Sequence, residues 1–379
     1  MDIETQVIHG GNQEDPLTGA VVPPIYQTST YHQYELGGEA AYEYTRGENP
    51  TRFALESVLA NLENGQYGYA FSSGMAAISA VMGLLKAGDH LIIASDVYGG
   101  TFRLVHQILA PLGITYTAVD TADTSAIQAA MQENTKLVYL ETPSNPLMHV
   151  TDIRAASDVA HAAGKLVVVD NTFASPYNQR PLELGADIVL ASGTKYIGGH
   201  SDVIAGYVVT RSKELADQIK LIQLSVGAVL SPQESFLLQR SIKTLALRLE
   251  RHNDNALEIA KFLAEQDQVA HVYYPGLPGS ADYEVARKQM RGFGGMMSID
   301  LQPGLDTKYF VEHLKLFTLA ESLGGVESLI EVPAVMTHAS IPREIRLANG
   351  IKDELVRLSV GIENIEDLKE DLRQGLAAL

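Results

Sequence analysis

Leu166-Val-Val-Val-Asp170, entered from Gly164-Lys165 and left through Asn171-Thr172-Phe173, is the stretch on which the fold turns. Three consecutive valines are stiff at χ1 and favour extended backbone. A strand that is apolar on successive residues has both faces covered, as in a parallel sheet flanked by helices. Runs of the same kind lie at 90–94, 114–119, 137–141, 188–191 and 205–210. Helical patterns sit between them. Met75, Ile78, Met82 and Leu85 share one face, with Gly88 as the stop, and others fall near 101–110, 122–132 and 152–163. Strands alternating with helices of this length build βαβ units and a mostly parallel sheet.

Beyond about residue 212 the texture changes. A long helical stretch is expected over 232–262, then strands at 271–274, 296–301, 317–320 and 356–360 separated by helices at 281–290, 306–315 and 364–377. This reads as a second, smaller α/β domain. The expected division is an N-terminal arm at 1–47, a large domain at 48–245 and a small domain at 246–379. The first 45 or so residues are irregular, broken by Gly10-Gly11, Pro16, Pro23-Pro24 and Gly37-Gly38. Their tyrosines (Tyr26, Tyr31, Tyr34, Tyr42, Tyr44) favour docking over disorder.

The chain has 379 residues, no cysteine and a formal charge of −18. The missing cysteines remove disulfides, thiolate metal sites, iron–sulfur clusters and cysteine nucleophiles. The acidic balance argues against coating nucleic acid. The polar start Met1-Asp-Ile-Glu-Thr lacks the basic and apolar regions of a signal peptide, and no apolar run reaches the roughly 20 residues of a membrane span. The expectation is a cytoplasmic protein with no nucleic-acid or membrane partner. Neither G-x-G-x-x-G nor G-x-x-x-x-G-K-[ST] occurs, and the 11 histidines show no metal spacing, so no metal is expected.

Chemistry gathers in two segments, Val169-Asp170-Asn171-Thr172-Phe173 and Ala191-Ser192-Gly193-Thr194-Lys195-Tyr196. Each follows a strand, where α/β sheets place ligands. An aspartate at one strand end and Ser-x-Thr-Lys at the next suit a cofactor with a pyridine nitrogen, a phosphate and an aldehyde. Pyridoxal 5'-phosphate (PLP) has all three. Ser73-Gly74-Met75 opens a helix and offers free N–H groups to a phosphate, or simply a cap. Tyr98, between a strand and a helix, is a turn residue or an aromatic stacked on the cofactor ring.

These segments, with Tyr44-Thr-Arg46-Gly-Glu-Asn-Pro50-Thr, Phe71-Ser-Ser-Gly-Met-Ala-Ala77, Tyr98-Gly-Gly-Thr101, Glu141-Thr-Pro-Ser-Asn-Pro146, Glu321-Ser-Leu-Gly-Gly-Val-Glu-Ser328, Met336-Thr-His-Ala-Ser340 and Arg357-Leu-Ser-Val-Gly361, resemble the Cys/Met-metabolism family of PLP-dependent enzymes. The resemblance runs in order along the whole chain. It implies the type I, aspartate-aminotransferase-like fold, a large domain with a mostly parallel sheet, a smaller C-terminal α/β domain, and a homotetramer of two catalytic dimers.

Carried over, Lys195 resembles the Schiff-base lysine and catalytic base, Asp170 the partner of the pyridine nitrogen, and Tyr98 the stacking tyrosine with a share in catalysis. Gly74, Met75, Ser192 and Thr194 match the phosphate cradle, with Thr172 beside Asp170. Tyr44 and Arg46 match a pair reaching the neighbouring subunit's phosphate. Arg357 matches the clamp on the substrate α-carboxylate, with Asn145, Ser322 and Glu321 at the substrate. Methionine γ-lyases carry cysteine where Gly100 stands, and Glu321 matches the γ-lyase and γ-synthase branch. The expected activity is therefore α,γ-elimination of L-cystathionine, with β-lyase, dual lyase or γ-synthase activity as alternatives. A non-catalytic PLP-binding regulator would lack the lysine, the aspartate or the arginine, and all three are present.

Overall fold

The computed structural model describes residues 1–11, 14–339 and 341–379. Ser340, the last residue of one family motif, lies outside them. The large sheet contains β1 (Tyr67–Phe71), β2 (His90–Ala94), β3 (Thr115–Val119), β4 (Thr135–Glu141), β5 (Leu166–Asp170), β6 (Ile188–Ala191) and β7 (Gly206–Thr210). Their order is β1-β7-β6-β5-β4-β2-β3. β7 runs against both neighbours, while the pairs from β6 through β3 are parallel. The three valines of β5 are wholly buried, because helices cover both faces as the apolar run requires.

The second sheet holds β8 (Val269–Tyr273), β9 (Met296–Leu301), β10 (Thr318–Leu319), β11 (Leu329–Glu331) and β12 (Leu355–Ser359), ordered β10-β11-β12-β9-β8. Apolar clusters cover both faces of the large sheet, and a third underlies the small sheet. The helix Leu245–Ala264 contributes Leu245 and Leu249 to the first of these and Ile259 and Leu263 to the third.

Several elements differ from expectation, each for a local reason. The stretch 232–262 is two helices, Pro232–Ile242 and Leu245–Ala264. At the break, Thr244 turns its hydroxyl onto the Ser241 carbonyl (3.1 Å), which competes with the helical ladder. The helix at Gly74 stops at Met82 rather than at Gly88, and Leu84 and Leu85 bond three residues back in tighter turns. Around 99–112 a short α-helix widens into a π turn at Leu104–Leu109, where Pro111 removes an amide donor from the next turn. β1 escaped notice because Gly68 interrupts its pattern. A Cβ there would lie 2.5 Å from the Glu56 carbonyl, so the helix Pro50–Leu62 can rest on the strand. The N-terminal 45 residues are not wholly irregular. Ile3–His9 is a helix whose Ile3 and Val7 join the first core of their own chain.

Glu63, which caps the helix Pro50–Leu62, is fully buried and accepts a hydrogen bond from Tyr207 Oη at 2.7 Å, while its other oxygen has no partner. Burial moves its pKa from 4.5 up to about 7. The folded chain keeps this proton up to about pH 7, whereas an unfolded chain releases it near 4.5. Stability therefore falls as pH rises through that window, by about 3 kcal/mol at its upper end. Glu63→Gln is expected to flatten the decline, and thermal denaturation from pH 5 to 8 checks it.

Candidate active site

Strand direction makes the site. β7 opposes β1 and β6, so the carboxyl ends of β1, β2, β4, β5 and β6 open on one edge. There the chain places Ser73-Gly74, Tyr98, Glu141, Asp170 and Ser192 around a cavity of about 270 Å³. The small sheet's side closes it with Glu321, Ser322, Thr337 and Arg357. Sheets of this class bind ligands outside their strand ends for this reason.

Asp170 lies at the cavity floor and is 6% exposed. Its Oδ1 accepts the Thr172 amide (3.0 Å) and hydroxyl (2.5 Å), and its Oδ2 accepts Tyr139 Oη (3.1 Å). On the neighbouring strand Glu141 stands in register with it, also buried, and takes one bond, from the Tyr98 amide at 2.9 Å. Burial raises both carboxyls, and Asp170 pushes Glu141 further, well above the carboxylate range. Three donors against one make Asp170 the charged member and Glu141 the protonated one.

The helix Gly74–Met82 begins at the cavity wall. Ser73 Oγ caps Ala76 N–H at 3.0 Å, and the Ser73 carbonyl takes Ala77 N–H. The Gly74 and Met75 amides precede the first intrahelical bonds and form part of the cavity lining, a ready site for an anion. A Cβ on Gly74 would stand 2.8 Å from Ser192 Cβ, and one on Gly206 would stand 2.2 Å from the Ser73 carbonyl. Backbone packing this close lets Ser192 share the anion site. The Thr194 hydroxyl exchanges hydrogen bonds with the Ala205 backbone, which fixes the turn leading to Lys195.

Lys195 Nζ donates to Ser322 Oγ at 2.8 Å. Ser322 holds the left-handed backbone angle of φ +96° and also presents its carbonyl to Arg357 Nη2 at 3.0 Å. Such strain persists where surroundings over-determine it. Desolvation, followed by the Arg357 charge, lowers the Lys195 pKa to about 8. Arg357 also donates to Asn145 Oδ1 at 2.9 Å and pairs with the buried Glu331 at 3.0 Å.

Of the residues expected from sequence, Gly74, Met75, Tyr98, Asn145, Asp170, Thr172, Ser192, Thr194, Lys195, Glu321, Ser322 and Arg357 meet in this one cavity. Tyr98 sits over Gly100, where a Cβ would come within 2.4 Å of its ring. Tyr44 and Arg46 do not line the cavity of their own chain. The Arg46 guanidinium bonds the Leu224 carbonyl and lies 5.6 Å from the Tyr44 ring centre. Sequence reasoning missed Glu141, Glu331 and Thr337. Glu141 had a signal, since it ends the strand beside Asp170. Glu331 had none, because β11 is only three residues long.

The model of the Cys/Met metabolism PLP-dependent enzymes matches residues 4–377. A cystathionine beta-lyase of Lactococcus lactis subsp. cremoris (strain MG1363) is 59% identical over 374 residues, spanning 99% of this chain and 98% of that protein. The chain belongs to the Cys/Met metabolism family of PLP-dependent enzymes. A cystathionine gamma-lyase of Bacillus subtilis (strain 168) is 55% identical, spanning 99% of both chains. A cystathionine gamma-synthase of Mycobacterium leprae (strain TN) is 49% identical, spanning 99% of this chain and 96% of that protein. A crystal structure of cystathionine gamma-lyase from Lactobacillus plantarum, complexed with L-serine, superposes with a TM-score of 0.98 at 55% identity. It covers 100% of this chain and 99% of that one.

The fold is thus the type I fold of PLP enzymes, and the cofactor of the family is PLP. The residues fit it. A charged aspartate, a helix N-terminus packed against a serine, and a desolvated lysine answer a pyridine nitrogen, a phosphate and an aldehyde within one cavity. No helix among the described residues is long and apolar enough to cross a membrane.

Proposed function

We propose that this protein is a carbon–sulfur lyase that cleaves L-cystathionine by α,γ-elimination, giving L-cysteine, 2-oxobutanoate and ammonia. The observation that carries the reading is the Lys195 amine, desolvated, held on Ser322 Oγ and sharing a cavity with Asp170 and Arg357. When bound, PLP supplies an electron sink for negative charge at the substrate Cα. Asp170, its charge supported by three donors, would keep a proton on the ring nitrogen. Gly74, Met75, Ser192 and Thr194 would hold the phosphate end.

Arg357 grips the α-carboxylate with donors its protein partners leave over. Lys195, half deprotonated at about pH 8, takes the Cα proton and then, for γ-cleavage, one from Cβ. Ser322 aims its Nζ, and Tyr98 closes one wall. Glu321, exposed at the cavity mouth, offers a carboxylate to the distal ammonium of cystathionine. α,β-Elimination to homocysteine and pyruvate is the second reading, favoured by the identity to the Lactococcus relative. Identifying the keto acid released from L-cystathionine decides between them: 2-oxobutanoate supports the first and pyruvate the second.

The arm at 1–47, beyond the helix Ile3–His9 that packs on its own chain, is assigned to the neighbouring subunit of a homotetramer, the protein acting in the cytoplasm, with domains at 48–245 and 246–379. Its backbone is prepared for that. The buried Arg52 donates to the carbonyls of Thr45 and Gly47, both at 2.8 Å, and so presents Tyr44 and Arg46 at the surface. Arg46→Ala is expected to weaken PLP binding by roughly 10- to 100-fold, the value of a charge-assisted hydrogen bond. Cofactor titration followed by absorbance, with the assembly state checked by sedimentation, tests it. Unchanged affinity contradicts the shared site.

A further inference from the structure

Glu331 and Arg357 are partners across two antiparallel strands, in register on β11 and β12. Arg357 is 2% exposed and Glu331 1%, with Nη1 3.0 Å from Oε1. The residue read above as the carboxylate clamp therefore already has a carboxylate. Glu331 Oε1 also accepts the Thr337 hydroxyl (2.7 Å), whereas Oε2 is buried without a partner. A buried ion pair is stable only while both charges are compensated. A second carboxylate on one guanidinium, away from water, breaks that balance.

The other charges near Glu331 do not restore it. Glu321 adds negative charge at the mouth, Lys195 is already weakened as a cation, and His338, pushed down to about 4 by burial, is neutral. His338 sits behind Thr337, with Nδ1 3.0 Å from the Thr337 hydroxyl; as a neutral imidazole it donates from Nε2 to the Asn145 carbonyl at 3.2 Å and so holds the loop without supplying charge.

We propose that Glu331 is a positioning residue that holds Arg357 in register before substrate arrives and takes up a proton from solvent on Oε2 when the substrate α-carboxylate binds. The proton balances the incoming charge: Arg357, still cationic, then donates to a neutral Glu331 carboxyl and pairs its charge with the substrate. Burial already raises the Glu331 carboxyl, which brings this proton within reach of working pH. Substrate affinity is then linked to pH through a residue that never touches substrate. The inference rests on the reading of Arg357 as the α-carboxylate clamp.

The test uses the PLP-loaded protein and glycine, which has an α-amino and an α-carboxylate group and no leaving group. Its dissociation constant is read from the visible absorption of the cofactor between pH 6 and 9. Glu331→Gln, permanently neutral, is expected to differ least from the wild type at pH 6, where proton uptake costs least. At pH 9 it should bind glycine about tenfold more tightly, the ratio produced by one pKa unit of displacement. A ratio that does not change with pH, or weaker binding by the variant at every pH, overturns the proposal. Arg357→Lys separates the two readings. If it leaves glycine affinity unchanged, the clamp assignment fails; if it weakens binding while the Glu331→Gln ratio stays flat, only the proton uptake fails. Should Glu331→Gln not hold the cofactor, infrared difference spectra of the wild type with carboxyl-labelled glycine decide. A new protonated-carboxyl stretch unaffected by the label supports the proposal, and its absence overturns it.

Discussion

Lys195→Ala is expected to lower the rate of keto-acid release from L-cystathionine by about 10⁴-fold or more, the upper range for removing a positioned acid–base group. The size follows from the site. Lys195 is the lysine of the cavity lining, and its Nζ is placed by one hydrogen bond to Ser322. On the proposed mechanism the loss removes both the covalent hold on the cofactor and the base for Cα and Cβ. Folding should survive, because the backbone around residue 195 is held independently. Thr194 clasps Ala205, and Arg248 bonds the Tyr196 carbonyl. The variant should still take up PLP through the phosphate cradle and Asp170, with an altered visible band. Retained activity would remove Lys195 from the mechanism.

Asp170→Asn is expected to cost about 10³-fold in rate, the scale of losing a preorganised electrostatic partner. The same change should stabilise the cofactor-free chain. Burial makes the Asp170 charge costly there, and three hydrogen bonds offset it. An amide removes that buried charge, which also raises Glu141 on the adjacent strand. Melting temperature without cofactor should rise while activity falls, the usual exchange at a functional site. A lower melting temperature would show that Asp170 is there for the fold.

Much of this was legible in the sequence, for identifiable reasons. β5 could be read because three valines between Leu166 and Asp170 allow one conformation and one environment. Asp170 and Lys195 could be placed because each follows such a strand directly. The break at Thr244 was not legible, since it depends on a side-chain hydrogen bond inside a helical pattern. Glu141 ends an apolar strand as Asp170 does, but that the two face each other needs the β4–β5 register, which brings residues 29 apart in sequence side by side. Glu331 depends on a three-residue strand with no periodicity to detect. The task of Tyr44 and Arg46 lies outside their own chain's cavity, where neither pattern nor packing of one subunit can express it.

Covalent attachment of PLP to Lys195 is the expectation on which the proposed reaction turns. Borohydride reduction of the PLP-loaded protein fixes an imine as a stable amine, and peptide mass mapping then locates the pyridoxyl group. The group should lie on the peptide containing Lys195 and be lost in Lys195→Ala. Attachment at another lysine, or none in a yellow and active protein, would contradict the site described.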